Sequence, residues 1–292
     1  MTRALIVTGD DLGLAVPVNE AIERAYRTGV LTTATLLVGE AAAGDAIVRA
    51  RRNPGLRVGL HVAVSQAEPV SPPRAIPALV DRHGRLRHPV TASVALLLPG
   101  AMRQLEAEIR AQFAAFAASG LALDHVTGHD NMQLHPVVLP ILMRVAREHG
   151  VSAIRLPYEP LGPSWRAVRR RLALRVLAWI AMAPWSAHVR RRLRRAGFRV
   201  NDYAFGIYDS GRLDVDTLLG LVRCLPEGVS EIFCHPATRR CPEIDRTMAG
   251  YDHEGELRAL TSPALREALT ASGVRLLAGF GALAPPSGSA AA

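Results

Sequence analysis

The sequence contains no lysine. All 35 basic side chains are arginine, set against 26 acids, which leaves a formal charge of +9. That exclusive use reflects codon composition more than physics, so the placement of the charge says more than its total. Cysteine is nearly absent. Cys224, Cys234 and Cys241 form no C-x-x-C pair, and no histidine stands at zinc-finger spacing. This excludes a disulfide framework and a small structural zinc module, and it fits a reducing compartment. The amino terminus has no charged n-region, apolar h-region and cleavage site, so a secretory signal is not expected. No apolar run reaches the roughly 20 residues that a bilayer-spanning helix needs. Acids are missing altogether from residues 162–201, where arginines are dense.

What is present is an alternation of strand-like and helix-like runs. Apolar, β-rich segments occur at 4–8, 32–38, 57–62, 125–127, 153–156, 203–207, 230–234 and 274–277. Helical periodicity falls between them at 18–27, 41–52, 101–119, 137–149, 215–224 and 263–271. Gly29, Gly120, Gly150 and Gly273 each end a helical stretch just before a strand. Repeated βα units imply a parallel sheet. Their number predicts an α/β fold, a deformed (β/α) TIM-like barrel of about seven or eight parallel strands, ahead of a doubly wound open sheet. One barrel domain is expected over 1–283, with a basic helical insertion at 163–200 and a disordered tail at 284–292. Residues 66–99 are rich in proline and follow the strand bearing His61, as an active-site wall or lid would.

The strand ends carry the chemistry. The first strand ends in Asp10-Asp11, and the third in His61. The run His125-Val126-Thr127 passes into Gly128-His129-Asp130-Asn131, and residues 230–234 end at His235-Pro236. A parallel sheet puts all these ends on one face. Two adjacent carboxylates raise each other's pKa unless a cation stands beside them. A divalent metal resolves that conflict by taking one carboxylate as ligand and leaving the other as a base. An aspartate and two neutral imidazoles, with positions left open, make a catalytic rather than a structural site. His129 is preferred to His125 as a ligand, because Gly128 permits close backbone approach and polar residues follow. His83, His88, His149, His188 and His253 read as solvated.

In that order, Thr8-Gly9-Asp10-Asp11-Leu12-Gly13, Gly59-Leu60-His61, His125-Val126-Thr127-Gly128-His129 and Cys234-His235-Pro236 resemble the YdjC-like carbohydrate deacetylases. Arg155-Leu156-Pro157 is similar to that family's Arg-x-Pro segment. The resemblance runs from residue 3 to about 280. It implies a deformed barrel and metal-dependent removal of acetyl from an N-acetylated sugar. It puts Asp11, His61 and His129 on one divalent ion, Mg or Zn, and makes Asp10 the base. Where many members carry a run of histidines after Gly-His, this chain has Asp130-Asn131-Met132-Gln133. His235, from the opposite side, would protonate the leaving amine or support the oxyanion. Arg155 would orient Asp10, or else pair with Glu159.

The basic insertion sets arginines on either side of 176–183, an apolar run with Pro184-Trp185 interrupting behind it. Two arginine-rich helices around an apolar bend suit the plane of an anionic membrane surface. Nucleic acid is not expected as a partner, since the arginines alternate with Leu, Trp and Ile and no binding motif is present. The insertion resembles the branch of the family associated with hopanoid biosynthesis, which implies an N-acetylglucosaminyl lipid as substrate and a cytoplasmic protein peripheral on the inner face of the membrane. Soluble chitooligosaccharides are the alternative substrate. A non-catalytic glycan- or lipid-binding barrel is the alternative of another class. A phosphoesterase would want a second cluster of carboxylates, which the sequence lacks.

Overall fold

The computed structural model describes residues 3–285. Its strands are β1 (Arg3–Leu12), β2 (Thr33–Leu36), β3 (Arg57–Val62), β4 (Leu123–Gly128), β5 (Tyr203–Phe205), β6 (Gly228–Cys234) and β7 (Arg275–Leu276). All pair in parallel, in the order β4-β3-β2-β1-β6-β5, with β7 on the early part of β1. From β1 to β4, and from β5 to β6, chain neighbours are sheet neighbours, and β1 joins β2 to β6. That is the order of a ring, not of a doubly wound sheet.

The sheet is curled, and its two edges are linked by backbone without a full strand. The Val126 N–H donates to Ala153 O at 3.0 Å and the Arg155 N–H to Val126 O at 2.9 Å. On the other side the Ile154 N–H reaches Arg199 O and the Ala204 N–H reaches Tyr158 O. Asn201 seals the seam, accepting from Leu156 N–H through Oδ1 and donating to Leu156 O through Nδ2. The strand expected at 153–156 is therefore reduced to isolated bridges. Its neighbours lie on two different short segments, so no continuous ladder forms.

Helices cover the outside: α1 (Val16–Thr28), α2 (Ala43–Arg52), α3 (Pro89–Ala95), α4 (Ala101–Ala118), α5 (Val138–Glu148), α6 (Leu161–Val168), α7 (Leu172–Arg195), α8 (Val215–Cys224), α9 (Pro242–Met248), α10 (His253–Leu260) and α11 (Pro263–Ser272). They bury one face, as Val138, Leu142, Val145 and Ala146 of α5 do at helical spacing. Along β1 the alternate residues Leu5 and Val7 pack outward in the main core, whereas Ala4 and Ile6 point inward. Ala4 and Ile6 join Ala153, Leu277, Phe280 and Leu283 in an apolar floor. The His125 ring stacks on Phe280 with centroids 4.2 Å apart. A Cβ on Gly59 would come within 2.5 Å of the His125 ring, so only glycine leaves room for it.

Four expectations change here. Pro184 does not interrupt the insertion: α7 runs through it for 24 residues. The carbonyl that Pro184 leaves without a donor belongs to the exposed residue Ile180, where water can serve it. By length and apolar character α7 is thus able to cross a membrane, although its apolar run looked too short. It is nonetheless pinned to the barrel by buried Val189 and Leu193, and by Trp185, whose Nε1 donates to Leu134 O at 2.8 Å. Arg175, counted with the membrane-facing arginines, is instead buried against Glu159 and Asp209. His253 is buried, not solvated, because its Nδ1 bonds the His235 carbonyl at 2.6 Å. The expected tail lies, from residue 286 onward, outside the described residues.

Candidate metal centre and active-site cavity

Consecutive strand residues point to opposite faces, so Asp10 and Asp11 should not share a cavity. A bulge in β1 brings them together. Gly9 pairs with Ala34 and Leu12 with Leu36, so three steps along β1 answer two along β2. The extra residue is accommodated at Asp11, whose φ of 63° lies in the left-handed region that non-glycine residues seldom enter. Such strain persists only where the surroundings hold it, and it collects at functional sites. The turn beyond is fixed by Leu14 N–H donating to Asp11 O and Gly13 N–H donating to Asn19 Oδ1.

Asp11, His61 and His129 are all buried and offer ligand atoms within 4.8 Å of one another. Asp11 Oδ1 lies 3.1 Å from His129 Nδ1 and 3.4 Å from His61 Nε2. The two rings meet edge to face, with centroids 5.3 Å apart. Thr127 Oγ1 holds His61 Nδ1 and so turns Nε2 toward Asp11. Among the described residues, Asp11 Oδ2 is buried without a hydrogen-bond partner. One carboxylate and two imidazoles, with an orphaned oxygen among them, suit a divalent ion that accepts oxygen and nitrogen donors. The cluster can hold a metal. Burial opposes charge on these groups, but His129 and His61 keep the Asp11 carboxyl well below its ordinary range. Burial likewise works against the His129 imidazolium, yet Asp11 pushes its pKa up to about 9.

Asp10 has a different partner. Arg155, from the seam between β4 and β5, donates Nη1 to Oδ2 at 2.6 Å and Nη2 to Oδ1 at 2.9 Å. Its Nε and Nη2 also bond Glu231, which accepts from Thr8 Oγ1 at 2.6 Å. Thr35 Oγ1 gives Asp10 a further bond at 2.8 Å. The guanidinium lies over the Phe233 ring at 4.9 Å. Burial would raise the Asp10 carboxyl, but Arg155 outweighs it and brings the pKa down to about 2.

His235 follows β6, and Cys234 of β6 pairs with Gly9 of β1. It therefore follows the strand next to Asp10, on the other side of β1 from the strands that carry His61 and lead into His129. Its backbone is held on both sides: the His235 N–H donates to Glu256 Oε2 at 2.6 Å, and its carbonyl bonds His253. Ser210 approaches Nδ1 at 3.4 Å. Burial lowers the His235 pKa, so the imidazole is neutral near pH 7. Asp10, Asp11, His61, His129, Arg155 and His235 all line one cavity of about 350 Å³, open at the carboxyl ends of the strands.

The YdjC-like protein model matches residues 4–271. The chain belongs to the YdjC-like family. A carbohydrate deacetylase of Mus musculus is 31% identical and aligns over 94% of this chain and 93% of its own length. A chitooligosaccharide deacetylase of Serratia marcescens is 28% identical, with 94% of this chain and 98% of that protein covered. A crystal structure from Enterococcus faecalis V583, described provisionally as a cellobiose-phosphate cleavage protein, superposes with a TM-score of 0.75 at 24% identity over 95% and 97% of the two chains. That likeness shows the fold.

Within this family fold, several residues of the site escaped sequence reasoning. Glu231 has a legible signal, since an acid inside Val229-Ser230-Glu231-Ile232-Phe233 needs a buried cation. Thr8, Thr35 and Thr127 gave none, being ordinary strand residues until the ring closes. Arg155 does not pair with Glu159, which belongs instead to Arg175 and Ser164. His125 stays on the floor, bonded to Asp124 and stacked on Phe280, apart from the metal cluster. Asp130 and Asn131 both adopt left-handed φ, 53° and 56°, and Asp130 accepts from Ser65 Oγ and Gln66 Nε2 at the rim.

Proposed function

We propose that this protein is a metal-dependent carbohydrate N-deacetylase acting on an N-acetylglucosaminyl group. The observation that carries the reading is the buried Asp11 carboxylate, with Oδ1 against two imidazoles and Oδ2 left without a partner among the described residues, in the same cavity as an ionised Asp10. A divalent ion held by Asp11, His61 and His129 would supply Lewis acidity and make bound water a stronger acid at neutral pH. The remaining work falls to the chain. Asp10 is aimed by two bonds from Arg155 and accepts the proton that water loses as its oxygen attacks the acetyl carbon. The C–N bond then breaks, and the departing nitrogen takes the proton that Asp10 accepted, relayed through the neutral His235 imidazole, which ends the cycle unchanged. The low pKa of Asp10 makes it a weak base at rest, so its contribution lies in position more than in affinity for protons.

For the sugar's carrier we favour a hopanoid lipid over a soluble chitooligosaccharide. The support is an apolar cleft lined by Tyr158, Ala178, Trp179, Met182 and Ala183, which shares Asn131 and Ile207 with the main cavity. On this reading the protein is cytoplasmic and rests on the inner, anionic face of the membrane through residues 163–200. Mass spectrometry of N-acetylglucosaminyl lipids incubated with wild type and with Asp10→Asn tests it. Loss of one acetyl group per sugar is expected with wild type alone. Acetate release from chitooligosaccharides with lipids untouched would move the substrate to the soluble class. No release from either would reject the activity.

A further inference from the structure

Fourteen large hydrophobic side chains are exposed among the described residues, and they are not scattered. Six lie on α6 and α7: Trp165, Leu172, Leu174, Leu177, Ile180 and Met182. Five more, Val90, Val94, Leu97, Leu98 and Met102, fall on α3, the start of α4 and the bend between them. Leu97 is 78% exposed and Val90 is 67% exposed. Single apolar residues on a surface need no account, but a contiguous group does.

The α3–α4 corner shares two properties with α7. Residues 82–105 contain no Asp or Glu, and the exposed Arg82 and Arg103 stand at the two ends of the apolar group. The corner also borders the cavity. Pro89, the first residue of α3, lines the same 350 Å³ opening as Asp11 and His129. The α7 helix borders it from another side, through the cleft that shares Asn131 and Ile207. These lining residues tie both elements to the mouth of the site.

We infer that the α3–α4 corner is a second membrane-contacting element, and that an anionic bilayer lies across the cavity mouth, touched by α7 on one side and by this corner on the other. Apolar side chains framed by arginines and free of acids match a surface that is apolar within and negative at its headgroups. This rests on the membrane-facing reading of α7 and extends it from one helix to a two-sided seat. The geometry makes the bilayer part of the site's wall.

The test uses the full chain, with vesicles of phosphatidylcholine alone or mixed with phosphatidylglycerol. Leu97→Glu/Leu98→Glu and Leu177→Glu/Ile180→Glu change only exposed side chains, so acetate release from a soluble N-acetylated sugar should stay at the wild-type rate. Wild type is expected to sediment with the mixed vesicles and to be released by high salt. Each double variant should bind roughly tenfold or more weakly, from the lost burial of two leucine-sized side chains. If the 97/98 variant binds as wild type while the 177/180 variant does not, the corner is no contact and the inference falls, with the α7 reading intact. If wild type stays in the supernatant, both fall, and acetate release still judges the deacetylase reading separately. If the 97/98 change instead dissociates a dimer seen by sedimentation velocity without vesicles, a second copy is the partner and the inference is overturned.

Discussion

Arg155 holds Asp10 with two nitrogens, at 2.6 and 2.9 Å, and spends its remaining bonds on Glu231. One cation thus bridges two buried carboxylates, from β1 and β6. Arg155→Ala should destabilise the fold by about 3–5 kcal/mol, since uncompensated buried charge is what such a deletion leaves. Arg155→Lys should recover only part of this, because an ammonium cannot reproduce the planar fork. Urea denaturation monitored by circular dichroism measures both. An alanine variant as stable as wild type would mean that the network is not formed.

The imidazole of His61 depends on Thr127. Thr127→Val keeps the volume but removes the oxygen at Nδ1, and metal affinity should fall about 10–100-fold, as it does when such supporting partners are lost. Competition with a chelating dye reads the affinity directly. Alanine at Asp11, His61 or His129 should abolish stoichiometric metal, whereas His125→Gln should leave metal content unchanged. Retention of metal by the His129 variant would assign the ligand elsewhere.

Glu256 supports His235 from below, and burial pushes its carboxyl up to about 7. A carboxyl whose pKa rises on folding contributes stability that is complete below its unfolded value near 4.5 and is lost as pH climbs toward 7. Melting temperatures should therefore decline across that window. Glu256→Gln should remove up to about 1.4 kcal/mol per pH unit of the slope, whatever it does to stability at acid pH. An unchanged slope would place the titration on another group. Asp10 acts in the opposite direction: its contribution is present above its ordinary value of 3.8 and disappears as pH falls through about 2.

The insertion also reaches the cavity through buried charge. Arg175 of α7 donates Nη2 to both oxygens of Asp209, at 2.7 and 2.6 Å, and Glu159 accepts the Ile207 and Tyr208 N–H groups at 2.9 and 3.1 Å. Ile207 and Ser210, on that same loop, line the cavity. Arg175→Met should cost about 3–5 kcal/mol and raise KM for a soluble sugar by loosening the loop. Arg175→Met/Asp209→Leu should recover a large share of the stability, because it removes the stranded acid as well. A double-mutant cycle in urea, with steady-state kinetics alongside, checks both. Additive losses would show that the two residues are not coupled.

The ring was legible because strand and helix periods alternate cleanly and glycines punctuate them. The seam was not. Residues 153–156 look like a strand by composition, but only the closed geometry shows that they bond one neighbour on each side at isolated points. At the site, the sequence supplied Asp10-Asp11, His61, His129, Arg155 and His235, because strand ends of a parallel sheet converge. It could not supply the bulge, since period-two reasoning sends one aspartate outward and nothing local announces a φ of 63° at Asp11. Nor could spacing separate His125 from His129. They stand four residues apart, His125 within β4 and His129 just past its end at Gly128, and depth in the barrel decides between them. The breaking power of Pro184 was overestimated, because a proline on an exposed helix face frees a carbonyl that solvent can reach.

The apolar floor beneath the site has a consequence for traffic. Phe280, His125, Ala4 and Ile6 plug the far end of the ring, so the chamber is a blind alley. Whatever enters past Pro89 and Ile207 must back out by the same door, and the released acid and amine leave through the space the next sugar needs.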